Sequence, residues 1–154
     1  MKVILPGSYD PVTLGHLDLI RRASESYEEV FAVIFVNPEK TYRFSLEDRV
    51  RMLTLATEEL DNVIVSFSNG LVIDYMREHG IEKIIKGYRN EKDFEYEKIQ
   101  AKWNKEHGGY DTELLECRPE LSNISSTRVR NILDRGGELS SLLVPSVEQY
   151  IKNL

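Results

Sequence analysis

The chain has 154 residues, of which 41% are hydrophobic and 30% are charged, and its formal net charge at pH 7 is −6. This composition indicates one ordinary globular domain over residues 1–154, and the acidic balance argues against a nucleic-acid or membrane-surface partner, since either favours a basic excess. The single cysteine, Cys117, leaves no internal disulfide, and no segment approaches the roughly 18 apolar residues that span a bilayer. We therefore expect a cytoplasmic protein and read Cys117 as a buried structural thiol.

Five apolar runs have the length of strands, and stretches with helical periodicity lie between them. The second run, Val30–Val36, is continuously apolar, which indicates a strand covered on both faces. The alternation predicts an α/β fold, a single-domain Rossmann-like doubly wound sheet of about five parallel strands with flanking helices. The other predicted strands are Val3–Leu5, Val63–Phe67, Ile81–Ile85 and Thr112–Cys117, and helices are predicted over 17–27, 46–60, 71–79 and 91–106, around 129–133 and after Pro145.

The loop after the first predicted strand carries the first candidate site. Gly7 follows the strand, and Thr13-Leu14-Gly15-His16 opens the next helix. Ligands of open parallel sheets bind at the carboxyl ends of the strands, where a helix N-terminus points unpaired N–H groups at an anion. The two glycines let a phosphate approach the backbone, and Thr13 and His16 add a hydroxyl and an imidazole. The alternative is that Gly15 is a packing glycine and that His16 bonds only to the backbone.

Basic residues follow two other predicted strands. Lys40 and Arg43 come after the second strand, and Lys86 and Arg89 flank Gly87 after the fourth. Because the carboxyl ends of parallel strands meet at one edge, these cations are placed to bind an anion and to stabilise negative charge in a transition state. The alternative is that they form part of an ordinary solvated surface.

Three hydroxyl residues, Ser125-Ser126-Thr127, open the helix after the fifth predicted strand. They offer N–H and O–H donors to a triphosphate, and the helix dipole favours the same charge. Alternatively, they only cap the helix. The two cations that follow, Arg128 and Arg130, either reinforce anion binding or face the solvent.

Together these motifs resemble the nucleotidylyltransferase superfamily, whose signature is similar to Thr13-x-Gly15-His16, and within it the bacterial phosphopantetheine adenylyltransferase family. The likeness covers essentially the whole chain. It rests on Gly7-Ser8-Tyr9-Asp10-Pro11, Asn37-Pro38-x-Lys40, Lys86-Gly87-Tyr88-Arg89, Asp93-Phe94-Glu95-Tyr96-Glu97 and Ile124-Ser125-Ser126-Thr127.

The resemblance implies an enzyme of coenzyme A biosynthesis that joins ATP and 4′-phosphopantetheine into dephospho-coenzyme A and pyrophosphate, with Mg²⁺ as cofactor. The phosphate of the acceptor would attack the α-phosphorus directly. It further implies a homohexamer, with coenzyme A as a feedback ligand. No protein metal ligands are expected, because no carboxylate cluster with ligand spacing is visible and the metal can be held by phosphates and water.

The resemblance also assigns roles to individual residues. The catalytic residues would be His16, Lys40 and Arg89, and the acceptor would be bound by Ser8, Lys40, Val72 and Lys86. The ATP site would comprise Ser8, Tyr9, His16, Gly87, Tyr88, Arg89, Glu97, Leu121, Ser122, Asn123, Ile124, Ser125, Ser126 and Thr127. Three positions depart from the family pattern: Ser8 replaces threonine, Tyr88 replaces leucine, and Thr127 with its basic neighbours leans toward the cytidylyltransferase relatives.

Two other functions stay open at this point. One is a nucleotidylyltransferase that acts on nicotinate mononucleotide or on glycerol 3-phosphate. The other is a nucleotide-binding regulatory protein that kept the fold and lost turnover. Against the second, Thr13, His16, Lys40, Arg89 and the Ser-Ser-Thr turn are all present, whereas loss of catalysis predicts the erosion of at least one of them.

Overall fold

Strands and helices alternate along the whole chain in the computed structural model, which describes residues 1–154. None of the helices combines the length and the hydropathy that a membrane crossing requires. The strands are β1 (Lys2–Gly7), β2 (Glu29–Phe35), β3 (Val63–Ser68), β4 (Lys83–Tyr88) and β5 (Asp111–Glu116). The helices are α1 (Leu14–Ser26), α2 (Leu46–Thr57), α3 (Val72–His79), α4 (Glu91–Gly108), α5 (Ser126–Asp134) and α6 (Pro145–Lys152), and a 3₁₀ turn, Pro119–Leu121, precedes α5.

The five strands form one parallel sheet in the order β3-β2-β1-β4-β5. The chain runs outward from β1 through β2 to β3 and then crosses to β4, on the other side of β1. The direction of winding therefore reverses between β1 and β4, and in doubly wound sheets such a reversal opens a crevice at the carboxyl ends of the two strands. The predicted Rossmann-like sheet of about five parallel strands is confirmed.

Both faces of the sheet are covered, because successive strand residues point to opposite sides. Val3 and Leu5 of β1 belong to the larger hydrophobic core, which also contains residues of α1, α2, α5 and α6. Ile4 points to the opposite face, where it joins a smaller core with Tyr75 and Met76 of α3. Coverage on two faces explains the continuously apolar sequence of β2.

Helix α2 begins at Leu46, as predicted, and Ser45 is its N-cap. The Ser45 hydroxyl accepts a hydrogen bond from the Asp48 backbone N–H at 3.1 Å. In a complete capping box the Asp48 carboxylate would also accept a hydrogen bond from the Ser45 backbone N–H. It does not do so in this structure. It accepts instead from the Tyr150 hydroxyl of α6 at 2.7 Å, and so joins the last helix to α2.

The fourth strand begins and ends later than the predicted run Ile81–Ile85. The N–H of Ile81 donates to the Met76 carbonyl and so closes α3, which leaves Ile81 outside the strand. Pairing with β5 continues through Lys86–Tyr88, opposite Leu114–Glu116. These three residues are therefore held by the sheet itself rather than by a loop after it.

Candidate active site

A cavity of about 400 Å³ lies at the carboxyl ends of β1 and β4, where the winding reverses. Its wall is formed by the β1–α1 loop, the end of β4, the first turns of α4 and the start of α5. It brings together the predicted acceptor residue Lys86 and most of the residues predicted for the nucleotide site, namely Ser8, Tyr9, His16, Gly87, Tyr88, Arg89, Glu97, Ile124, Ser125, Ser126 and Thr127.

A second cavity of about 230 Å³ lies between α4 and the sheet. It contains Val72, a predicted acceptor residue, and its wall includes Ser8, Lys86 and Glu97, which also line the first cavity. The two cavities also share Pro6, Gly7 and Tyr96, so they are adjoining compartments. Such an arrangement suits two substrates whose reacting groups must come together.

Three of the residues predicted for the nucleotide site do not reach the wall of either cavity. Leu121 packs against the larger hydrophobic core. The Ser122 hydroxyl donates to the Pro119 carbonyl at 2.8 Å, and the Asn123 carbonyl accepts from Arg128 at 3.0 Å. In this structure the three residues shape the loop that leads to α5.

Lys40 stands at the rim of the site and not inside either cavity. It is exposed in the loop between β2 and α2, and its Nζ donates to Ser8 Oγ at 3.3 Å. The contact joins two elements that are 32 residues apart. The structure thus brings Lys40 to the position at which the two cavities meet, as the common location of the strand ends predicts.

His16 is held in one orientation by Thr13. The backbone N–H of Thr13 donates to His16 Nδ1 at 3.0 Å, and the His16 N–H donates to Thr13 Oγ1 at 3.4 Å, which forms a reciprocal capping box at the start of α1. A backbone N–H can only donate, so Nδ1 is the acceptor and the neutral ring carries its hydrogen on Nε2. The ring also lines the cavity. The hydrogen bond to the Thr13 backbone therefore orients the ring and leaves its Nε2–H free to bind a ligand.

The environment of His16 keeps the imidazole neutral. Burial lowers the pKa of His16 to about 4, and the positive charges of Lys86 and Arg89 act in the same direction. At neutral pH the ring is therefore an uncharged Nε2–H donor. Such a donor can stabilise a developing negative charge without having to transfer a proton.

Tyr9 supports the ring of His16 from the β1–α1 loop. Its backbone lies in the left-handed region at φ 46°, which is unusual for a non-glycine residue. The buried side chain donates its hydroxyl hydrogen to the Leu5 carbonyl at 2.8 Å, and the two ring centroids are 4.9 Å apart. Burial raises the pKa of this hydroxyl, so it remains a donor.

The two cations at the end of β4 are each paired with a carboxylate from α4. Lys86 Nζ lies 3.3 Å from the buried Glu97, and Arg89 Nε donates to Asp93 at 2.9 Å. The hydrogen bond from Arg89 lowers the pKa of Asp93. Asp93 is the one member of these pairs that was not predicted as a site residue. Its spacing of four residues from Arg89 is typical of an ion pair and could have identified it.

The start of α5 presents hydroxyl groups to the first cavity. Ser125 caps the helix by accepting from the Arg128 N–H, and Thr127 accepts from the Arg130 guanidinium, each at 3.1 Å. Both hydroxyls therefore keep a hydrogen to donate to an anion. Ser126 uses its hydrogen on the Pro11 carbonyl at 2.7 Å. The capping role and a phosphate-binding role are compatible at this helix start.

Gly15 and Gly87 lie in different surroundings, so the space available for a larger side chain differs between them. A Cβ at Gly87 would overlap the end of the Leu19 side chain of α1, which would then have to shift. A Cβ at Gly15 would meet Thr13 Oγ1 at 3.5 Å and the Ile124 carbonyl at 3.8 Å, which are ordinary contacts. Packing within the chain does not require glycine at position 15, so the interpretation of Gly15 as a packing glycine is not supported.

Cys117 is half-buried and lines the first cavity, so it is not the fully buried thiol that we expected. Burial raises the pKa of Cys117, which keeps the thiol protonated and weakly nucleophilic at neutral pH. Groups of three or more His, Cys, Asp or Glu side chains that could hold a metal ion do not occur in the structure.

Comparison with known proteins identifies similar sequences and folds. The model of the cytidylyltransferase-like family matches residues 4–132. A phosphopantetheine adenylyltransferase from Thermobifida fusca (strain YX) is 40% identical over 151 residues, which is 98% of this chain and 92% of the relative. A Vibrio parahaemolyticus crystal structure, described as a candidate nicotinate-nucleotide adenylyltransferase, superposes with a TM-score of 0.72 at 18% identity, over 99% of this chain and 91% of the other.

We expect the imidazole of His16 to titrate with a pKa of about 4. The cause is burial, reinforced by two neighbouring cations. Between pH 6.5 and 4 the imidazole of the unfolded chain binds a proton, whereas that of the folded chain does not. The free energy of unfolding therefore falls as the pH falls through this window. Imidazole ¹H–¹³C NMR during a pH titration measures the value, with His16→Gln to assign the resonance. A midpoint near 6.5 contradicts the interpretation.

Proposed function

The chain belongs to the cytidylyltransferase-like family, and we propose that it transfers the adenylyl group of ATP to 4′-phosphopantetheine, giving dephospho-coenzyme A and pyrophosphate. The observation that carries this proposal is the pair of adjoining cavities that meet at Ser8 and Lys86, in a chain whose relative over nearly its whole length is a phosphopantetheine adenylyltransferase. We propose that residues 1–154 act as one nucleotidylyltransferase domain in coenzyme A biosynthesis.

The larger cavity suits ATP, because its wall is rich in hydrogen-bond donors that can bind phosphate groups. The N-termini of α1 and α5 both open into it, and each favours negative charge through its unpaired N–H groups and its dipole. Ser125 and Thr127 add hydroxyl hydrogens. The predicted nucleotide residues at the end of β4, Gly87 through Arg89, line the same wall.

The smaller cavity suits the pantetheine arm of the acceptor. Val72 and Phe35 give part of its wall an apolar character, and polar side chains of α4 lie opposite. The acceptor phosphate would then lie where the cavities meet, beside Ser8, Lys86 and the nearby Lys40. This placement brings the nucleophile to the α-phosphate without a covalent enzyme intermediate.

The reaction is a direct displacement at phosphorus. A phosphate oxygen of the acceptor forms a bond to the α-phosphorus of ATP, the bond from that phosphorus to the oxygen bridging to the β-phosphate breaks, and pyrophosphate leaves. A displacement of this kind needs chiefly alignment and charge stabilisation from the protein. His16 donates its Nε2–H to the α-phosphate, Lys40 and Lys86 hold the acceptor phosphate, and Arg89 neutralises charge on the ATP phosphates.

Mg²⁺ is proposed to enter with ATP as part of the substrate. The carboxylates of the site, Asp93 and Glu97, are already bonded to cations, whereas Mg²⁺ is commonly held by phosphates and water with few protein ligands. Coenzyme A is proposed as a feedback ligand, because it contains the groups that the two cavities would separately bind. Chelation by EDTA and addition of coenzyme A should each suppress pyrophosphate release, and unchanged release in either arm overturns that part of the proposal.

We further propose that six copies of the chain form a homohexamer. Large apolar side chains outside the two cavities stay exposed in the single chain: Ile99 and Trp103 on α4, and Phe67 and Leu71 near the end of β3, are each between 42% and 66% exposed. Exposed apolar surface of this kind marks interfaces. Light scattering after size-exclusion chromatography should give the mass of six chains, and Ile99→Glu should lower it; a monomeric mass for the unmodified protein contradicts the assembly.

A cytoplasmic location is proposed as well. Cys117 is the single cysteine of the chain and is free, which suits a reducing compartment. Recovery of the protein with the cytosolic fraction of its cell supports the location, and recovery from a secreted or membrane fraction contradicts it.

The reaction itself is tested by pyrophosphate release from the purified protein. We expect release with ATP, Mg²⁺ and 4′-phosphopantetheine, and none when the acceptor is nicotinate mononucleotide or when CTP and glycerol 3-phosphate replace both substrates. Release with either alternative pair reassigns the acceptor and leaves the fold unaffected. Binding of ATP without release under any condition favours the regulatory function.

His16→Ala is expected to lower turnover on the order of 10²-fold or more, because one preorganised transition-state donor contributes that much. His107→Ala, on the exposed end of α4, is the matched control and should keep turnover near the wild-type value. Circular dichroism establishes that both variants fold. Near-normal turnover in His16→Ala contradicts the role given to this residue.

A further inference from the structure

Arg49 of α2 is a buried cation with no carboxylate partner. The residue is 2% exposed, and no acidic oxygen lies within 4.0 Å of its guanidinium. Removal of a charge from water is unfavourable unless neighbouring groups compensate for the lost hydration. The groups that compensate here are backbone carbonyls and an aromatic ring, and all of them belong to the two loops that carry Ser8 and Lys40.

The guanidinium joins the two loops directly. Its Nε donates to the Phe44 carbonyl at 3.2 Å, at the end of the loop between β2 and α2. Its Nη1 donates to the Ser8 carbonyl at 3.1 Å, in the loop between β1 and α1. A single rigid group therefore sets the distance between these loops, because the geometry of the guanidinium is planar and fixed.

The turn that carries Lys40 is hydrogen-bonded to Tyr42, and Arg49 packs against the ring of Tyr42. The guanidinium carbon lies 3.9 Å from the centroid of the Tyr42 ring, a cation–π arrangement. The Tyr42 hydroxyl accepts the N–H of Asn37 at 2.8 Å, and the Asn37 carbonyl accepts the N–H of Lys40 at 3.0 Å. The position of the Lys40 backbone thus depends on Arg49 through two hydrogen bonds and one stacked ring.

Lys40 and Ser8 meet on the side of these loops that faces the cavities. Lys40 Nζ donates to Ser8 Oγ at 3.3 Å, while Arg49 holds the carbonyl of the same serine. We propose that Arg49 is a positioning residue, which keeps Ser8 and Lys40 together as the binding pair for the acceptor phosphate. The inference rests on the function proposed above, since it assigns the effect to the acceptor and not to ATP.

A structural role alone predicts a different pattern. Loss of a stabilising buried residue would weaken the whole fold and affect both substrates alike. The positioning role predicts a loss chiefly for the acceptor, because Arg49 acts through Lys40, which is not part of the ATP cavity, and because most of that cavity's wall besides Ser8 lies outside the two loops that Arg49 joins. The two roles are therefore separated by comparing the kinetics for the two substrates.

The experiment is steady-state pyrophosphate release by Arg49→Lys, with each substrate varied in turn. Lysine keeps the charge but cannot donate in two fixed directions while stacking on a ring. We expect kcat/KM for 4′-phosphopantetheine to fall about tenfold or more, since displacement of a positioning group by a fraction of an ångström is costly, and KM for ATP to change less than about twofold. Arg51→Lys, an exposed arginine on the same helix that pairs with Glu47, is the control and should behave as wild type.

A double-mutant cycle with Lys40→Ala tests whether Arg49 acts through Lys40. If it does, Arg49→Lys costs much less in the Lys40→Ala background than in the wild type, because interacting residues are not additive. Equal losses in the two backgrounds overturn the proposal, as do equal losses for ATP and acceptor or an Arg49→Lys variant with wild-type kinetics. If Arg49→Lys fails to fold, Tyr42→Leu removes the stacked ring from a half-buried position and should give the same acceptor-specific loss.

A readout that does not depend on the reaction separates this inference from the proposed function. In ¹H–¹⁵N NMR spectra, Arg49→Lys should shift the backbone amides of both Ser8 and Lys40, and Arg51→Lys should leave them in place. Wild-type protein without acceptor-dependent release overturns the proposed function alone. Unshifted amides of Ser8 and Lys40 in Arg49→Lys overturn the positioning role, whatever the acceptor.

Discussion

The arrangement of the site follows from one topological constraint, the reversal of winding between β1 and β4. Because α1 leaves β1 toward one face and the next strand beyond the reversal is β4, no connection closes the gap above the carboxyl ends of these two strands. The loops after β1, β2 and β4 and the start of α5 all end at this gap. Residues more than a hundred positions apart, such as Ser8 and Thr127, therefore share one cavity without any long irregular segment.

The electrostatic design of the site depends on a donor that carries no charge. An imidazolium at position 16 would add a third positive charge beside Lys86 and Arg89, and burial already disfavours the charged form. The Thr13 backbone N–H fixes the tautomer, so the neutral ring of His16 carries its hydrogen on Nε2. In the proposed reaction, the lysines and Arg89 neutralise charge and His16 supplies a directed hydrogen bond.

Much of this site was predictable because its signals are local. The Thr13 cap, the glycines and the hydroxyl run Ser125–Thr127 sit at junctions between predicted strands and helices, and all of them line the first cavity. The contributions that were not predictable depend on how distant elements pack. Nothing in the residues around Arg49 indicates its contact with Ser8, 41 positions away, because an arginine on an amphipathic helix is ordinarily exposed.

Contacts between distant elements also explain why basic residues stand at the start of α5. In the sequence these residues suggested a likeness to cytidylyltransferase relatives. Arg128 donates to the Asn123 carbonyl, and Arg130 donates to the Asp10 carbonyl at 2.8 Å and to Thr127. Both guanidinium groups are thus used to hold the loops at the cavity rim. The departure in sequence therefore affects how the wall is supported, while Ser125, Ser126 and Thr127 still line the first cavity. A basic motif at the start of a helix can accordingly fix the geometry of the neighbouring loops instead of binding a ligand.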